Sequence, residues 1–301
     1  MGFGQKKLAS KIGICVPFKT VYLPSVFKKR LSMRNWLIII LFALSQAVNA
    51  QFTELGVFAG GTNFIGDVGN SSVHLPTSWV GGLAFRHQFS PHYGIRFSGN
   101  YGELTNDDAN SNWVSKQDRN LRFRSPIWEV AVVLEINFLE FVTGSRTMKN
   151  SPYIFGGIGI FGFNPQAQFL DGKWYDLQPL GTEGQGTNLN KTGKYGLNGI
   201  SLPFGIGYRA SIGKNTSIAF EVGFRASSTD YLDDASGYYV DNSELADVSS
   251  PLAAYFADRS LSDTDKTGYA RANNQKKDWY VFTGIHLFFA ITPKNERCSG
   301  F

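Results

Sequence analysis

An alternating pattern of apolar and polar residues recurs along the chain and is clearest between residues 128 and 138. Every even position of this stretch is apolar, whereas Glu129, Glu135 and Asn137 occupy odd positions. A period of two places one set on each face of a β-strand, and helical spacing would scatter the two glutamates among the apolar residues. A half-buried strand of a soluble sheet also alternates, but in a membrane barrel the apolar face contacts lipid and the polar face lines the interior. One strand does not distinguish the two cases.

Eight segments with this period predict eight strands. Most are about 10 to 14 residues long, enough to cross a bilayer at a tilt, whereas strands of soluble proteins average about 5 to 6 residues. The segment 153–163 is apolar on both faces, so the pattern does not show which of its side chains point into the barrel. Pro203 predicts a bulge or kink, because a closed sheet has no free edge to accommodate a proline. The predicted strands are 52–63, 78–89, 92–104, 128–138, 153–163, 199–212, 216–227 and 279–291.

The connections between these segments alternate in length. If the mature N-terminus is periplasmic, the first, third, fifth and seventh connections lie outside the cell, and those are the long ones. Outer-membrane barrels have short periplasmic turns and longer extracellular loops. The pattern therefore predicts an all-β fold, an eight-stranded antiparallel transmembrane barrel of the outer membrane with long extracellular loops.

The start of the chain has the features of a secretory signal peptide. Basic Arg34 precedes the apolar run 36–44 and the small residues that end at Ala50, an order typical of cleaved export signals. Cleavage after Ala50 leaves Gln51 as the mature N-terminus. We interpret residues 1–32 as a mis-assigned extension, 33–50 as the signal peptide, 51–292 as the barrel and 293–301 as a C-terminal tail; a genuine long basic n-region is the alternative for 1–32.

Removal of residues 1–50 changes the net charge and the number of cysteines of the mature chain. Eight of the 29 basic residues and none of the 24 acidic residues lie in residues 1–50, which leaves 21 basic residues and a net charge of −3. The basic pI therefore does not indicate nucleic-acid binding. Cys298 remains alone, so no internal disulfide forms.

Charged residues fall on the inward-facing side of several predicted strands. Buried charges are costly unless they are paired, and an eight-stranded barrel is just wide enough for its own side chains to fill it. We expect an interior network of ion pairs that holds the barrel shut, and a proton or ion path is the alternative. The network residues are Glu54, Arg86, Arg96, Glu129, Glu135, Arg209, Glu221 and Arg225.

Other candidate chemistry is sparse. The four histidines lack metal-ligand spacing, and neither a nucleophile elbow nor a zincin or phosphate-loop motif occurs. The acidic stretch 229–241 matches no known calcium loop, so a solvated or hydrogen-bonded loop is favoured over a cation site. These residues give no signal for an enzymatic activity, a cofactor or a small-molecule substrate. A barrel enzyme would need a catalytic set at the outer rim, where only His74 is placed, and a porin would need a wider lumen.

Several stretches resemble a known family, the PorG family of small outer-membrane barrels in the type IX secretion system of Bacteroidetes. The resemblance extends in order over the predicted mature chain and includes its short cysteine-containing end, whereas residues 1–32 do not belong to it. The stretches are ELGVFAGGTNFIGDV (54–68), SPYIFGGIGIFGFNP (151–165), WYDLQPLGTEGQG (174–186), LPFGIGYR (202–209) and TDYLDDASGYYVD (229–241), and their loop residues include Trp174, Gln178, Pro179, Asp230, Tyr231, Asp233 and Asp234.

This resemblance implies a non-enzymatic envelope component that works beside a periplasmic ring and serves protein secretion and, in some species, gliding motility. The ring consists of a PorK- or GldK-type lipoprotein and a PorN- or GldN-type partner. The periplasmic connection 140–150 is longer than a hairpin needs, so we expect it to contact the ring, and an irregular turn without a partner is the alternative. Its candidate contact residues are Phe141, Val142, Arg146, Met148 and Lys149.

Overall fold

The computed structural model describes residues 52–70 and 75–291. The predicted extension, the signal peptide with Ala50 and Gln51, His74 and the tail with Cys298 lie outside these residues. The predictions for those parts of the chain therefore stay predictions.

Eight long antiparallel strands form a closed barrel, as the alternating pattern predicts. Each strand pairs with the next along the chain, except that a small hairpin, β6–β7, is inserted between β5 and β8, and β10 pairs with β1 to close the sheet. The strands are β1 (Phe52–Ile65), β2 (Ser78–Gln88), β3 (Tyr93–Asp107), β4 (Arg122–Asn137), β5 (Asn150–Phe163), β6 (Gln166–Gln168), β7 (Trp174–Asp176), β8 (Asn198–Ser211), β9 (Thr216–Ser227) and β10 (Trp279–Ala290).

The two faces of the barrel wall differ as predicted. On β1, Glu54 and Phe58 point inward and are buried, whereas Leu55 and Val57 point outward and are 51 % and 47 % exposed. The ambiguous strand β5 turns its aromatic residues inward and its isoleucines outward. The outward apolar residues form a belt around the barrel, of the kind that contacts lipid acyl chains.

Two strands extend further than their apolar pattern predicts. Strand β4 begins at Arg122 rather than at Trp128, and β3 continues to Asp107, which pairs with Arg122 in the ladder. In this extension the alternation persists, but the outward side chains include Arg124 and Pro126. These strands therefore rise beyond the apolar belt, where the outward face no longer needs to be apolar.

Strand β8 has no bulge at Pro203, so that part of the prediction was wrong. Strand β8 pairs with β5 at Phe204↔Gly156 and again at Ser201↔Gly159, in one unbroken register. The ladder between them is interrupted beside Pro203, and no extra residue is inserted. The missing N–H of proline is therefore accommodated by a local gap in pairing with one neighbour, while pairing with β9 continues.

The long connections fold into a cap at the extracellular end (residues 66–70, 75–77, 108–121, 164–197 and 228–278). The cap contains helices α1 (Val114–Arg119), α2 (Asn242–Val248) and α3 (Pro251–Ala257). Asp241 accepts hydrogen bonds from the first turn of α2, and Ser250 accepts one from Ala253 in α3, as helix-capping residues do. No helix among the described residues has the length and apolar character needed to cross a membrane.

Candidate functional site

The barrel interior has two layers of different chemistry. The half nearer the cap is filled by a hydrophobic cluster that includes Phe64, Phe123, Phe161, Leu232 and Phe282. The half nearer the periplasm holds charged side chains. The structure brings the eight predicted network residues into this interior, each no more than 4 % exposed.

Glu135 lies at the centre of the charged layer and contacts three arginines. Its Oε2 is 2.6 Å from Arg209 Nη2 and 4.0 Å from Arg86 Nη1, and its Oε1 is 2.7 Å from Arg96 Nε. The inward positions of β2, β3, β4 and β8 converge here because the barrel is narrow. One carboxylate thus neutralises charge from three different strands.

Glu221 forms a second centre on the opposite wall. Arg96 Nη2 lies 2.8 Å from Glu221 Oε2, and the Tyr153 hydroxyl donates a hydrogen bond to the same oxygen at 2.9 Å. His286 Nε2 is 3.6 Å from that oxygen and 2.8 Å from Arg96 Nη1. Tyr153 and His286 were not among the predicted network residues, although both occupy inward positions in the period-two pattern.

The remaining pairs lie at the two ends of the network. Near the periplasm, Arg86 forms an ion pair with Glu54 and donates to Ser217 Oγ at 3.2 Å. Nearer the cap, Glu129 accepts a hydrogen bond from the Tyr280 hydroxyl at 2.7 Å and lies 3.5 Å from Arg225 Nε.

Aromatic rings lie over all four arginine side chains of the network, with the guanidinium carbon of Arg96 5.2 Å from the ring centroid of Phe155. The guanidinium carbons of Arg86, Arg209 and Arg225 lie 4.0, 3.7 and 4.2 Å from the ring centroids of Phe288, Tyr153 and Phe282 respectively. These cation–π contacts add to the ion pairs. The interior is thus a packed core rather than a passage.

The periplasmic connection forms a plug loop (residues 138–149) that closes the mouth of the barrel. Phe141 is fully buried, and its ring lies 5.9 Å from the guanidinium of Arg86 and 5.7 Å from that of Arg209. Thr143 is buried next to it and donates a hydrogen bond to Glu54. The extra length of this connection therefore covers the charged layer from below.

Burial of Phe141 corrects one part of the expected partner contact. A side chain enclosed within the barrel mouth cannot contact another protein, and Val142 is half-buried with its N–H bonded to the Met148 carbonyl. Phe141 faces the barrel interior, where its ring shields Arg86 and Arg209 from water. Of the predicted contact residues, Arg146 and Lys149 are exposed and Met148 is partly exposed.

We expect Gly144→Ala to dislodge the plug loop. Gly144 has φ +79°, a Cβ there would overlap the Lys214 carbonyl oxygen, and its N–H bonds to Ser211 Oγ at 2.8 Å. The loop would lift from the mouth, and trypsin would cleave after Arg146 and Lys149 several-fold faster, as measured on the purified folded barrel.

Gly172→Ala provides the matched control for the plug loop. Gly172 has the same φ of +79°, but no atom lies within 4 Å of the position that a Cβ would take. The alanine variant at this site therefore has only the backbone strain of an L-residue at positive φ. Equal cleavage rates in the two variants would contradict the role of the close approach at Gly144.

The predicted family motif residues hold the cap together. Trp174 lies over Arg124, with the guanidinium 4.0 Å from its ring centroid, and Gln178 donates to the Tyr195 carbonyl at 2.9 Å. The ring of Tyr231 stacks on that of Tyr195, with centroids 4.3 Å apart. The Pro179 carbonyl accepts a hydrogen bond from Lys194 at 2.6 Å.

The acidic residues of the motif serve as hydrogen-bond acceptors. Asp233 accepts from the Val68 and Ala235 amides at 2.9 and 3.1 Å, Asp234 from Thr182 and Tyr195, and Asp230 from Ser236 at 2.6 Å. Burial, followed by the charge of Asp67, raises the pKa of Asp233 to about 8. No group of metal-ligating side chains is found among the described residues.

Two buried ion pairs in the cap were not predicted. Arg119 binds Asp108 with Nε–Oδ2 at 2.8 Å, and Arg271 Nη1 lies 3.2 Å from Glu183 Oε1. These four residues come from connections whose folding is set by contacts between distant loops. A period-two pattern gives no signal for such contacts.

A closed barrel with an apolar outer belt and a filled, charged interior defines the class: this is a transmembrane β-barrel of the outer-membrane type. Residues 33–249 match a family described as a domain of unknown function, DUF6089. The chain belongs to that family. No curated protein matches it in sequence.

Solved structures with similar folds are outer-membrane or surface proteins. Ail of Yersinia pestis, solved with the heparin analogue sucrose octasulfate, has 10 % identity and a TM-score of 0.35, with 80 % of this chain and 100 % of that chain covered. The N-terminal barrel of Pseudomonas aeruginosa OprF has 9 % identity and a TM-score of 0.33, with 78 % and 97 % covered. Neisserial surface protein A has 9 % identity and a TM-score of 0.30, with 79 % and 95 % covered. Similarity at this level carries no argument about function.

Proposed function

We propose that this protein is a non-enzymatic outer-membrane component of the type IX secretion machinery that acts through its periplasmic surface. In this proposal it stands beside a ring built from a PorK- or GldK-type lipoprotein and a PorN- or GldN-type protein. The resemblance of its strand and loop sequences to the PorG family supports the assignment to this machinery.

The filled interior is the observation that most supports a scaffold rather than a transporter. Ion pairs and aromatic rings occupy the charged layer, the hydrophobic cluster fills the other half, and Phe141 covers the periplasmic mouth. An eight-stranded barrel has no room for an aqueous channel beside such side chains. The surfaces of the protein are therefore the parts left to perform its function.

The periplasmic surface carries an excess of exposed positive charge. Arg146 and Lys149 on the plug loop and Lys214 on the β8–β9 turn are exposed, whereas the acidic Glu140 faces His92. Partly apolar Met148 lies between the two cations of the loop. A mixed basic and apolar surface suits a protein partner with an acidic face.

The test reverses charge on this surface without touching the buried residues of the loop. In a strain that carries Arg146→Glu with Lys149→Glu, we expect the barrel to insert normally but to lose ring proteins in a pull-down from outer membranes, and secretion to fall several-fold. The control is Lys173→Glu with Lys191→Glu, which reverses two exposed charges at the extracellular end.

A structural role in the outer membrane, without a secretion partner, is the second candidate, and the filled interior suits it equally. Failure of the unmodified protein to co-purify with any ring component would favour this role. Retention of the ring by the charge-reversed variant would place the contact elsewhere on the barrel.

A further inference from the structure

A groove opens on the outside of the barrel where β1, β9 and β10 meet the cap. Its volume is about 730 Å³, and its lower wall includes Phe224 and Trp279, while Lys116, Lys276 and Lys277 line the part that belongs to the cap. Cavities of roughly 300 to 1,000 Å³ are typical of small-molecule sites. This groove contains none of the residues of the charge network or the plug loop.

The lower wall of the groove is continuous with the lipid-facing belt. Trp279 packs edge-on against Phe204, with centroids 5.8 Å apart, and Phe204 stacks on Phe224 at 5.9 Å. All three side chains point outward from β10, β8 and β9. Aromatic residues of this kind mark the boundary between acyl chains and headgroups.

The position of Lys276 and Lys277 just beyond Trp279 is where lipid headgroups are expected to lie. Lys276 and Lys277 are exposed and come two or three residues before Trp279, on its extracellular side. The headgroup layer is about 5 to 8 Å thick on each side of the hydrocarbon core, which matches such a spacing along the chain. Lys116 adds a third ammonium, fixed by a hydrogen bond to the Gly69 carbonyl at 2.9 Å.

The acidic residues of the groove leave the charges of Lys276 and Lys277 exposed, although Asp67 lies near enough to Lys116 to interact with its ammonium group. Asp278 is 1 % exposed and turns inward, where it accepts a hydrogen bond from the Leu232 amide at 3.0 Å. Asp67 accepts one from the Asn273 amide at 3.0 Å. The two exposed lysines therefore present positive charge to the membrane surface.

We propose that this groove binds a phosphorylated lipid of the outer leaflet, with the phosphate held by Lys276, Lys277 and Lys116 and an acyl chain lying on the aromatic wall. A lipid is the expected occupant because one wall belongs to the surface that acyl chains cover and the opposite wall is cationic. A phosphate group accepts several charge-assisted hydrogen bonds at once, and ammonium groups bind it as point charges. The binding needs no opening of the barrel and is independent of any secretion partner.

The test titrates bisphosphorylated lipid A against the purified full-length barrel in detergent micelles. We expect Lys276→Gln with Lys277→Gln to weaken binding at least fivefold, and Lys276→Arg with Lys277→Arg to retain it. Lys173→Gln with Lys191→Gln, which removes the same charge from exposed positions outside the groove, is expected to bind like the unmodified protein. Heat-modifiable migration verifies that every variant is folded.

Two further arms distinguish a lipid site from a site for free phosphate and from apolar adsorption alone. Dephosphorylated lipid A is expected to bind the unmodified protein and the glutamine variant equally weakly, because the lysines then have no partner. Inorganic phosphate at millimolar concentration is expected not to displace lipid A, since it lacks the acyl contact. Equal binding of lipid A by the glutamine variant and the unmodified protein, an equal loss in the control variant, or full displacement by inorganic phosphate would each overturn the proposal.

Discussion

Gly284→Asp combined with Phe289→Asp is expected to prevent insertion of the barrel. Gly284 in β10 lies opposite Gly60 in β1, and a Cβ at residue 284 would come 2.7 Å from Gly60 Cα and would overlap the Ala59 carbonyl oxygen. Backbone atoms cannot move aside as a flexible side chain can, so the two strands would separate. Phe289 is 48 % exposed in the lipid-facing belt, where a carboxylate would lose its hydration.

Gly284→Ala isolates the steric part of this effect. Overpacking of this kind costs about 1 to 3 kcal/mol or more, and here it acts on a strand pair that closes the barrel. The control is Gly99→Ala, because Gly99 is also a strand glycine but has nothing within 4 Å of its missing Cβ. Normal heat-modifiable migration of the double aspartate variant would defeat the prediction, and so would equal destabilisation by Gly99→Ala and Gly284→Ala.

Glu135→Ala is expected to lower the free energy of unfolding by roughly 3 to 5 kcal/mol, the usual consequence of leaving a buried charge without its partner. Three guanidinium groups contact this one carboxylate, from Arg86, Arg96 and Arg209. Arg86 and Arg96 retain Glu54 and Glu221 respectively, but Glu135 is the only carboxylate found within ion-pair distance of Arg209 among the described residues. Arg209 is therefore the group that becomes unpaired.

Urea unfolding of the barrel in detergent measures this loss. Glu140→Ala is the control, because Glu140 is 56 % exposed and its partner is His92 at 4.0 Å, and exposed pairs contribute about 0 to 1 kcal/mol. Replacing Arg209 by methionine in the Glu135→Ala background removes the orphaned charge and should recover part of the stability. An unchanged unfolding midpoint for Glu135→Ala would mean that water replaces the carboxylate inside the barrel.

The number of strands and their faces could be predicted because lipid and interior impose opposite requirements on alternate residues. The same reasoning missed the part of β4 that contains Arg122 and Arg124. This part lies above the lipid-facing belt, where the outward side chains no longer need to be apolar and the alternation is lost to view. It also left β5 undecided, because glycine alternates there with apolar residues on both faces. Pairing with β4 and β8 settles its orientation, and pairing is not visible in one strand.

The interior charges were recognisable by type, but their partners were not. Which arginine reaches Glu135 depends on strand tilt and register, which bring Arg209 of β8 across the barrel to β4. The burial of Phe141 could not be predicted from the sequence either. An apolar residue in a loop can pack into the barrel of its own chain or contact another protein, and the sequence does not distinguish the two. The groove proposed for lipid combines residues from three strands and three loops, so only the folded chain brings them together.

The first strand, β1, pairs with the last strand, β10, so the barrel can close only after the whole chain has been synthesised. Residues at the two ends of the described chain, such as Glu54 and Ala290, are ladder partners, so the ring of strands cannot close until the last strand has been delivered. Until then β1 and β9 each present an unpaired edge, and unpaired edges readily add strands from other chains. Contacts between such distant parts of a sequence also form slowly. A chain terminated before Trp279 would lack β10 and could not close the barrel, so β1 and β9 would keep their unpaired edges.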